Sequence, residues 1–362
     1  MTRSLKLIVA ATLLASLAAG AAGGLAGESW QTPLAALHVF LFNLTAGGLA
    51  VMSRAAGDDK PGLSPPAFFA LALAFCAGAF FGIVPLMIGS ALALGAVAEA
   101  VRWKRFSRLP LDFFRRVPVS QKFEQAAVLC LSLGLFICAA TLLNNHHLRL
   151  IELEKLDLHV FYLGFSFPIS LYTFSLILAR AEAGRKAPPA WAAEFIFWAL
   201  NLGVIAFFFF IIFELYPLQF IAALVLLSTV AVTAWMHLSS SERGTEWTLM
   251  SSALAFLVFG SVTGMLYILE LWLGGLDNSY RLLSYHSAAT LFGWNLTGLI
   301  LLLARGRLQL RVPATLVLGI HWALVLLLPL ARTSPVIGAA ALILLLGLLA
   351  AALASPRPRP TA

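Results

Sequence analysis

His38, His159 and His286 are the residues of this chain best suited to chemistry. Each stands at the mouth of a long apolar segment, and successive histidines lie close to one third of the chain apart. Imidazole is a ligand for both haem iron and copper, so three histidines at one membrane depth could build a cofactor site between helices. The other histidines carry plainer readings. His146 and His147 are neighbours in a polar stretch followed by Glu152, Glu154 and Asp157. Adjacent residues of a regular element face different ways, which favours a solvated loop over a metal site. His237, ahead of Ser239, Ser240 and Ser241, reads as facing headgroups or water. His321 falls in mid-segment, where an ionisable group turns to the bundle interior and needs a partner.

The elements that must position these side chains follow from composition. Hydrophobic residues make up 61% of the chain and charged residues 11%. Apolar stretches of about 20 residues recur along its length, the mark of an all-α polytopic membrane protein. A transmembrane barrel would instead show short segments of alternating polarity, and there are none. About twelve spans are expected. They run roughly over 5–27, 33–53, 66–81, 84–102, 124–145, 158–179, 191–214, 216–238, 247–274, 284–304, 312–331 and 335–354. Residues 66–103 form one apolar stretch that overshoots a bilayer, so the division is placed at Gly82 and Pro85. The loops are short, which makes 1–362 a single transmembrane domain.

Charge sets the expected orientation. With the N-terminus inside, most of the 24 Lys and Arg residues fall on inner segments, leaving Arg149, Lys155, Arg281 and Arg332 outside. Both termini are then cytoplasmic, in the cytoplasmic (inner) membrane. The net charge of +8 is accounted for by basic loops facing anionic lipid, with no nucleic-acid partner implied. Residues 1–27 resemble a secretory signal but read better as an uncleaved first helix. Cys76, Cys130 and Cys138 lie inside spans and show no paired motif, so they read as packing residues. Asn43, Asn201, Asn295 and Thr297 read as groups for hydrogen bonds between helices. No carboxylate stands at a helix centre, which argues against a transporter driven through a midplane acid.

Counted in fours, the spans form three pseudo-repeated four-helix units at about 1–123, 124–246 and 247–362, with the three histidines on the second, sixth and tenth spans. Asn43-Leu44-Thr45 and Asn295-Leu296-Thr297 echo one another on two of those spans.

With these histidines and this topology, the chain resembles the catalytic subunit of the haem-copper oxidase superfamily and its smaller NnrS-type relatives. The resemblance covers the whole topology but rests on short motifs. It implies twelve helices in three groups of four, with His38 matching a ligand of a low-spin haem, His286 one of two haem ligands on the tenth helix, and His159 a copper ligand. The departures are as informative. Ser284 and Ala288 flank His286 where the family carries a second histidine, and Glu214-Leu215-Tyr216-Pro217 stands where it carries a copper-binding pair. Tyr162 comes three residues after His159, where the family tyrosine comes four after. A complete oxygen-reducing centre is therefore not expected. The expected function is that of a b-type haem protein with His38 and His286 as axial ligands, possible copper at His159, and a redox or gas-responsive role served by a redox partner subunit. The alternative is a cofactor-free transporter, assembly factor or scaffold of the same architecture.

Overall fold

Within a bilayer every backbone N–H and C=O must bond inside its own segment, so apolar stretches of this length fold as helices. The computed structural model describes residues 3–57, 63–151, 154–183, 189–240, 243–274, 279–304, 308, 310, 312–331 and 333–353; of 28, 154, 155, 157–163, 279 and 280 it describes the backbone alone. Each expected span falls on a helix. These are α1 (Arg3–Leu25), α2 (Glu28–Val39, continuing through Phe40–Gly47 and Gly48–Ala55), α3 (Ser64–Phe81), α4 (Val84–Arg105), α5 (Val119–Leu143) and α6 (Glu154–Ala183). There follow α7 (Ala190–Ile212), α8 (Tyr216–Ser239), α9 (Thr245–Trp272), α10 (Ser279–Ser287, continuing through Ala288–Asn295 and Leu296–Ala304), α11 (Ala314–Leu327) and α12 (Pro335–Leu353). Among the described residues, 10 helices are long and apolar enough to cross a membrane by length and composition. The chain is a polytopic helical membrane protein.

Helix ends and span ends differ for a physical reason. Hydrophobicity limits what lies in hydrocarbon, whereas hydrogen bonding limits the helix, so helices run on into the polar interface. Thus α2 begins at Glu28 and passes through Pro33, which cannot donate to the Ser29 carbonyl one turn back. The division of 66–103 falls as expected. Gly82 adopts a left-handed conformation with φ 68° and ends α3, and Pro85 lies in the first turn of α4.

Successive helices pack on one another from α1 to α12, and α12 packs back on α1, which closes a ring. Three members, α2, α6 and α10, also touch one another pairwise at the centre. Burial agrees, since the span of α2 is 72% buried and that of α10 78%, against 22% for the peripheral α7. A Cβ added at Gly134 of α5 would fall 2.9 Å from the Cα of Gly164 on α6, so only glycine allows this approach of two backbones.

One end of the bundle is tied by ion pairs. Arg105 of α4 meets Glu124 of α5 at 2.8 Å, and the buried Lys122 of α5 meets Glu194 of α7 at 2.6 Å while donating to the Phe113 carbonyl at 2.9 Å. The Glu182 carboxylate of α6 accepts from the Val119 N–H at 2.9 Å and from the Ser120 hydroxyl at 2.6 Å, capping α5 with an acid at its positive end. Arg180 of α6 pairs with Glu246 of α9. Trp30, Trp191 and Trp272 are exposed near span ends, as an aromatic belt requires.

Candidate functional site

His38 stands in the last turn of the first part of α2, and two residues later the helix widens into a π-helix over Phe40–Gly47. His286 stands in the same place in α10, with a π-helix over Ala288–Asn295 beginning two residues on. Eight-residue π segments are rare, and π turns are frequent at functional sites.

Each imidazole is held by the helix that precedes its own. His38 Nδ1 lies 2.8 Å from the Ser16 carbonyl of α1, and His286 Nδ1 lies 2.7 Å from the Gly260 carbonyl of α9. A carbonyl can only accept, so Nδ1 carries the proton in both rings and the lone pair of the neutral imidazole resides on Nε2. One turn beyond each acceptor stands a glycine that makes room for the ring. A Cβ at Gly20 would fall 2.9 Å from His38 Nδ1, and one at Gly264 would fall 2.9 Å from His286 Nδ1.

The carbonyls of the two histidines are also matched. The Ser16 hydroxyl donates to the His38 carbonyl at 2.8 Å, and the Thr290 hydroxyl donates to the His286 carbonyl at 2.8 Å.

The two histidine helices meet through Phe292 of α10. Its ring stacks on His38 with centroids 5.8 Å apart at 13° and meets Phe42 edge-on at 5.1 Å. Its carbonyl accepts from Nε2 of His321 on α11 at 2.7 Å, which supplies the partner that a mid-span histidine needs. The fully buried Phe256 of α9 packs its edge on His321 at 5.1 Å.

Sequence reasoning did not select Ser16, Gly20, Gly260, Gly264 or Phe292. The first four carry a legible signal, because Ser16/Gly20 and Gly260/Gly264 are small residues four apart on the helices before each histidine helix, the spacing that lets helices approach closely. Phe292 carries none, since helix rotation is not written in spacing.

His159 and Tyr162 belong to α6, in a stretch whose side chains lie outside the described residues. Among the described residues no three His, Cys, Asp or Glu side chains gather as a metal-binding group. His146 and His147 are exposed in a short π turn, Asn144–Leu148, at the end of α5. His237 stacks on Trp247 with centroids 5.4 Å apart.

Of the mid-span polar groups, Asn295 bonds between helices, accepting from the Ser170 hydroxyl of α6 at 2.8 Å while Trp294 donates to that same hydroxyl at 3.0 Å. Asn201 and Thr297 bond within their own helices. The buried Asn43 Oδ1 has no hydrogen-bond partner among the described residues.

No known family model matches the chain, and no characterised protein matches it in sequence.

Proposed function

We propose that the protein is a haem-binding integral membrane protein of redox or gas-responsive function, akin in architecture to the catalytic subunit of haem-copper oxidases. The observation that carries this reading is the matched pair of histidine cradles. A histidine that binds a metal through one ring nitrogen typically donates the other N–H to a carbonyl or carboxylate, which fixes the tautomer and the ring plane. His38 and His286 both do so, each against the preceding helix and each two residues before a π segment. The donor set therefore fits a low-spin haem, with His38 and His286 as axial ligands, and such a haem would supply reversible one-electron chemistry.

The closed ring around α2, α6 and α10 supports reading the fold as three four-helix units, each lending one histidine helix to the centre. In this reading His159 is the candidate copper ligand, both termini face the cytoplasm, and a redox partner subunit exchanges electrons with the haem. A second, cofactor-free reading as a transporter, assembly factor or scaffold is favoured by one observation, the direct aromatic contact of Phe292 with His38 and Phe42 where the two histidine helices meet.

A dithionite-reduced minus oxidised optical spectrum of protein produced with ample haem, with iron and copper quantified on the same sample, separates the two. Sharp low-spin bands with about one iron per chain, lost in His286→Ala, are expected. A flat spectrum without metal would sink the haem reading and leave the second.

A further inference from the structure

Between α4 and α5 the chain passes through a short 3-10 helix, Pro110–Phe114, whose inner side is anchored. Phe113 packs on Phe197 of α7 with ring centroids 5.3 Å apart, its carbonyl accepts from the buried Lys122, and the Asp112 carboxylate accepts from the Ser107 N–H at 3.2 Å. Residues three apart eclipse one another in such a helix, so Leu111 and Phe114 share the other side, where both are exposed and Phe114 is 78% exposed. The Phe114 ring lies 5.3 Å from that of Trp198, about 12 Å along α7 from its start at Ala190. Phe195, three residues before Trp198, and Leu202, four after it, are exposed on the same stripe of this peripheral helix. Phe114 therefore extends the lipid-facing surface of α7, with Leu111 beside it.

Guanidinium groups bracket this apolar face. Arg108 precedes it, Arg115 and Arg116 follow it, and all three are exposed. Asp112 is the only acid between Arg105 and Glu124, and it is held inward by Ser107 and paired with Arg115 at 3.4 Å. Arg108 and Arg116 have no ion-pair partner among the described residues. We propose that this segment binds an anionic phospholipid of the phosphatidylglycerol class, with Leu111 and Phe114 among the acyl chains and Arg108 and Arg116 on the phosphodiester. Long basic side chains lay their stems along apolar surface and bring their charge to headgroup depth, and a guanidinium can give two parallel hydrogen bonds to a phosphate. A zwitterionic lipid carries an ammonium as well, for which the segment offers no outward acid, so charge favours the anionic headgroup. The site lies at the ion-pair end of the bundle and is independent of the haem reading.

Native mass spectrometry of the delipidated full chain in detergent tests it, with phosphatidylglycerol or phosphatidylcholine of matched acyl chains titrated in and glycerol 3-phosphate as a chainless competitor. Phosphatidylglycerol is expected to bind about tenfold more tightly than phosphatidylcholine, given roughly a fivefold gain for each basic residue near an anionic headgroup. Arg108→Gln combined with Arg116→Gln should erase that margin, whereas Arg3→Gln combined with Lys6→Gln, which removes equal charge elsewhere, should keep it. Leu111→Ser combined with Phe114→Ser should weaken both lipids alike. Equal binding of the two lipids overturns the proposal, and so does a preference that survives the loss of Arg108 and Arg116 or falls equally with Arg3 and Lys6. Displacement by glycerol 3-phosphate at the lipid's own concentration would make this a site for free anions, and unchanged lipid binding without Leu111 and Phe114 would give their face to a protein partner; either result sinks the lipid assignment. Elution and circular dichroism check that each variant is folded, and if the serine pair is not, the two charge pairs still decide.

Discussion

At the scale of the residue, a half-buried imidazole is useful as a ligand only if its tautomer and plane are set before a ligand arrives, and here both are set by backbone. The Ser16 and Gly260 carbonyls take the Nδ1 protons, and the glycines one turn on leave the rings no Cβ to collide with. Gly264→Ala would put a carbon 2.9 Å from Nδ1 and 3.0 Å from Cε1 of His286, closer than packed atoms stand, so the ring must turn off its acceptor. Gly20→Ala acts on His38 in the same way, whereas a Cβ at Gly89 meets nothing within 4 Å. On the haem reading, the first two variants should lose roughly 10- to 100-fold in haem affinity, the usual effect of removing an outer-shell partner of a metal ligand. Gly89→Ala should retain full occupancy. Haem titration of the three purified variants checks this, and undiminished binding in Gly20→Ala and Gly264→Ala would remove the glycines from the account. The histidines and the small residues four apart were open to sequence reasoning because both are questions of residue type and spacing. The stack of His38 on Phe292, and the choice of Phe292 as acceptor for His321, depend on how each helix is turned about its axis, which tertiary packing alone decides.

At the scale of the element, the bilayer makes some features legible and hides others. A fixed hydrocarbon thickness dictates length and apolarity, so every expected span falls on a helix, and the break at Gly82 could be placed because glycine and proline interrupt hydrogen bonding in known ways. The π segments in α2 and α10 could not be placed, since Phe40–Gly47 and Ala288–Asn295 consist of residues that fit an α-helix equally well. The ion pairs were likewise hidden, because Glu194 and Lys122 are far apart in sequence and only the docking of α7 on α5 brings them together. That pair yields a test. Lys122 is 2% exposed, so Glu194→Gln leaves its ammonium buried with a single strong acceptor, the Phe113 carbonyl. Breaking one side of a fully buried pair costs about 3–5 kcal/mol, but Glu194 is 35% exposed and water will screen the loss, so about 1–3 kcal/mol is expected. Lys122→Met combined with Glu194→Gln should recover most of it, because the uncompensated charge is then gone. Apparent unfolding midpoints in one detergent would read both variants. A single variant as stable as the parent would mean that Lys122 gains nothing from Glu194.

At the scale of the whole molecule, the ring of helices and the ion-pair end fit together as one argument about orientation. Arg105, Lys122, Arg180, Glu182, Glu194 and Glu246 come from alternate helix ends of α4, α5, α6, α7 and α9, so they share one end of the bundle. The last turn of α4, with Lys104 and Arg105, and the segment that follows it, with Arg108, Arg115 and Arg116, lie at that same end. The opposite end carries the turn after α5 with the exposed His146 and His147, the C-terminal end of α9, and the N-terminal portions of α2 and α10 that bear His38 and His286. Positive charge is retained on the cytoplasmic side during insertion, so the ion-pair end should be cytoplasmic and the histidine end should face outward. Cysteine labelling decides this, provided that Cys76, Cys130 and Cys138 are first replaced by Ala or Ser so that no native thiol reports. A single cysteine at His147 should react with a membrane-impermeant maleimide applied to intact cells. One at Arg116 should react only after the membrane is opened. The reverse pattern would turn the molecule over, moving both histidine cradles to the cytoplasmic half and with them any redox partner that serves the proposed haem.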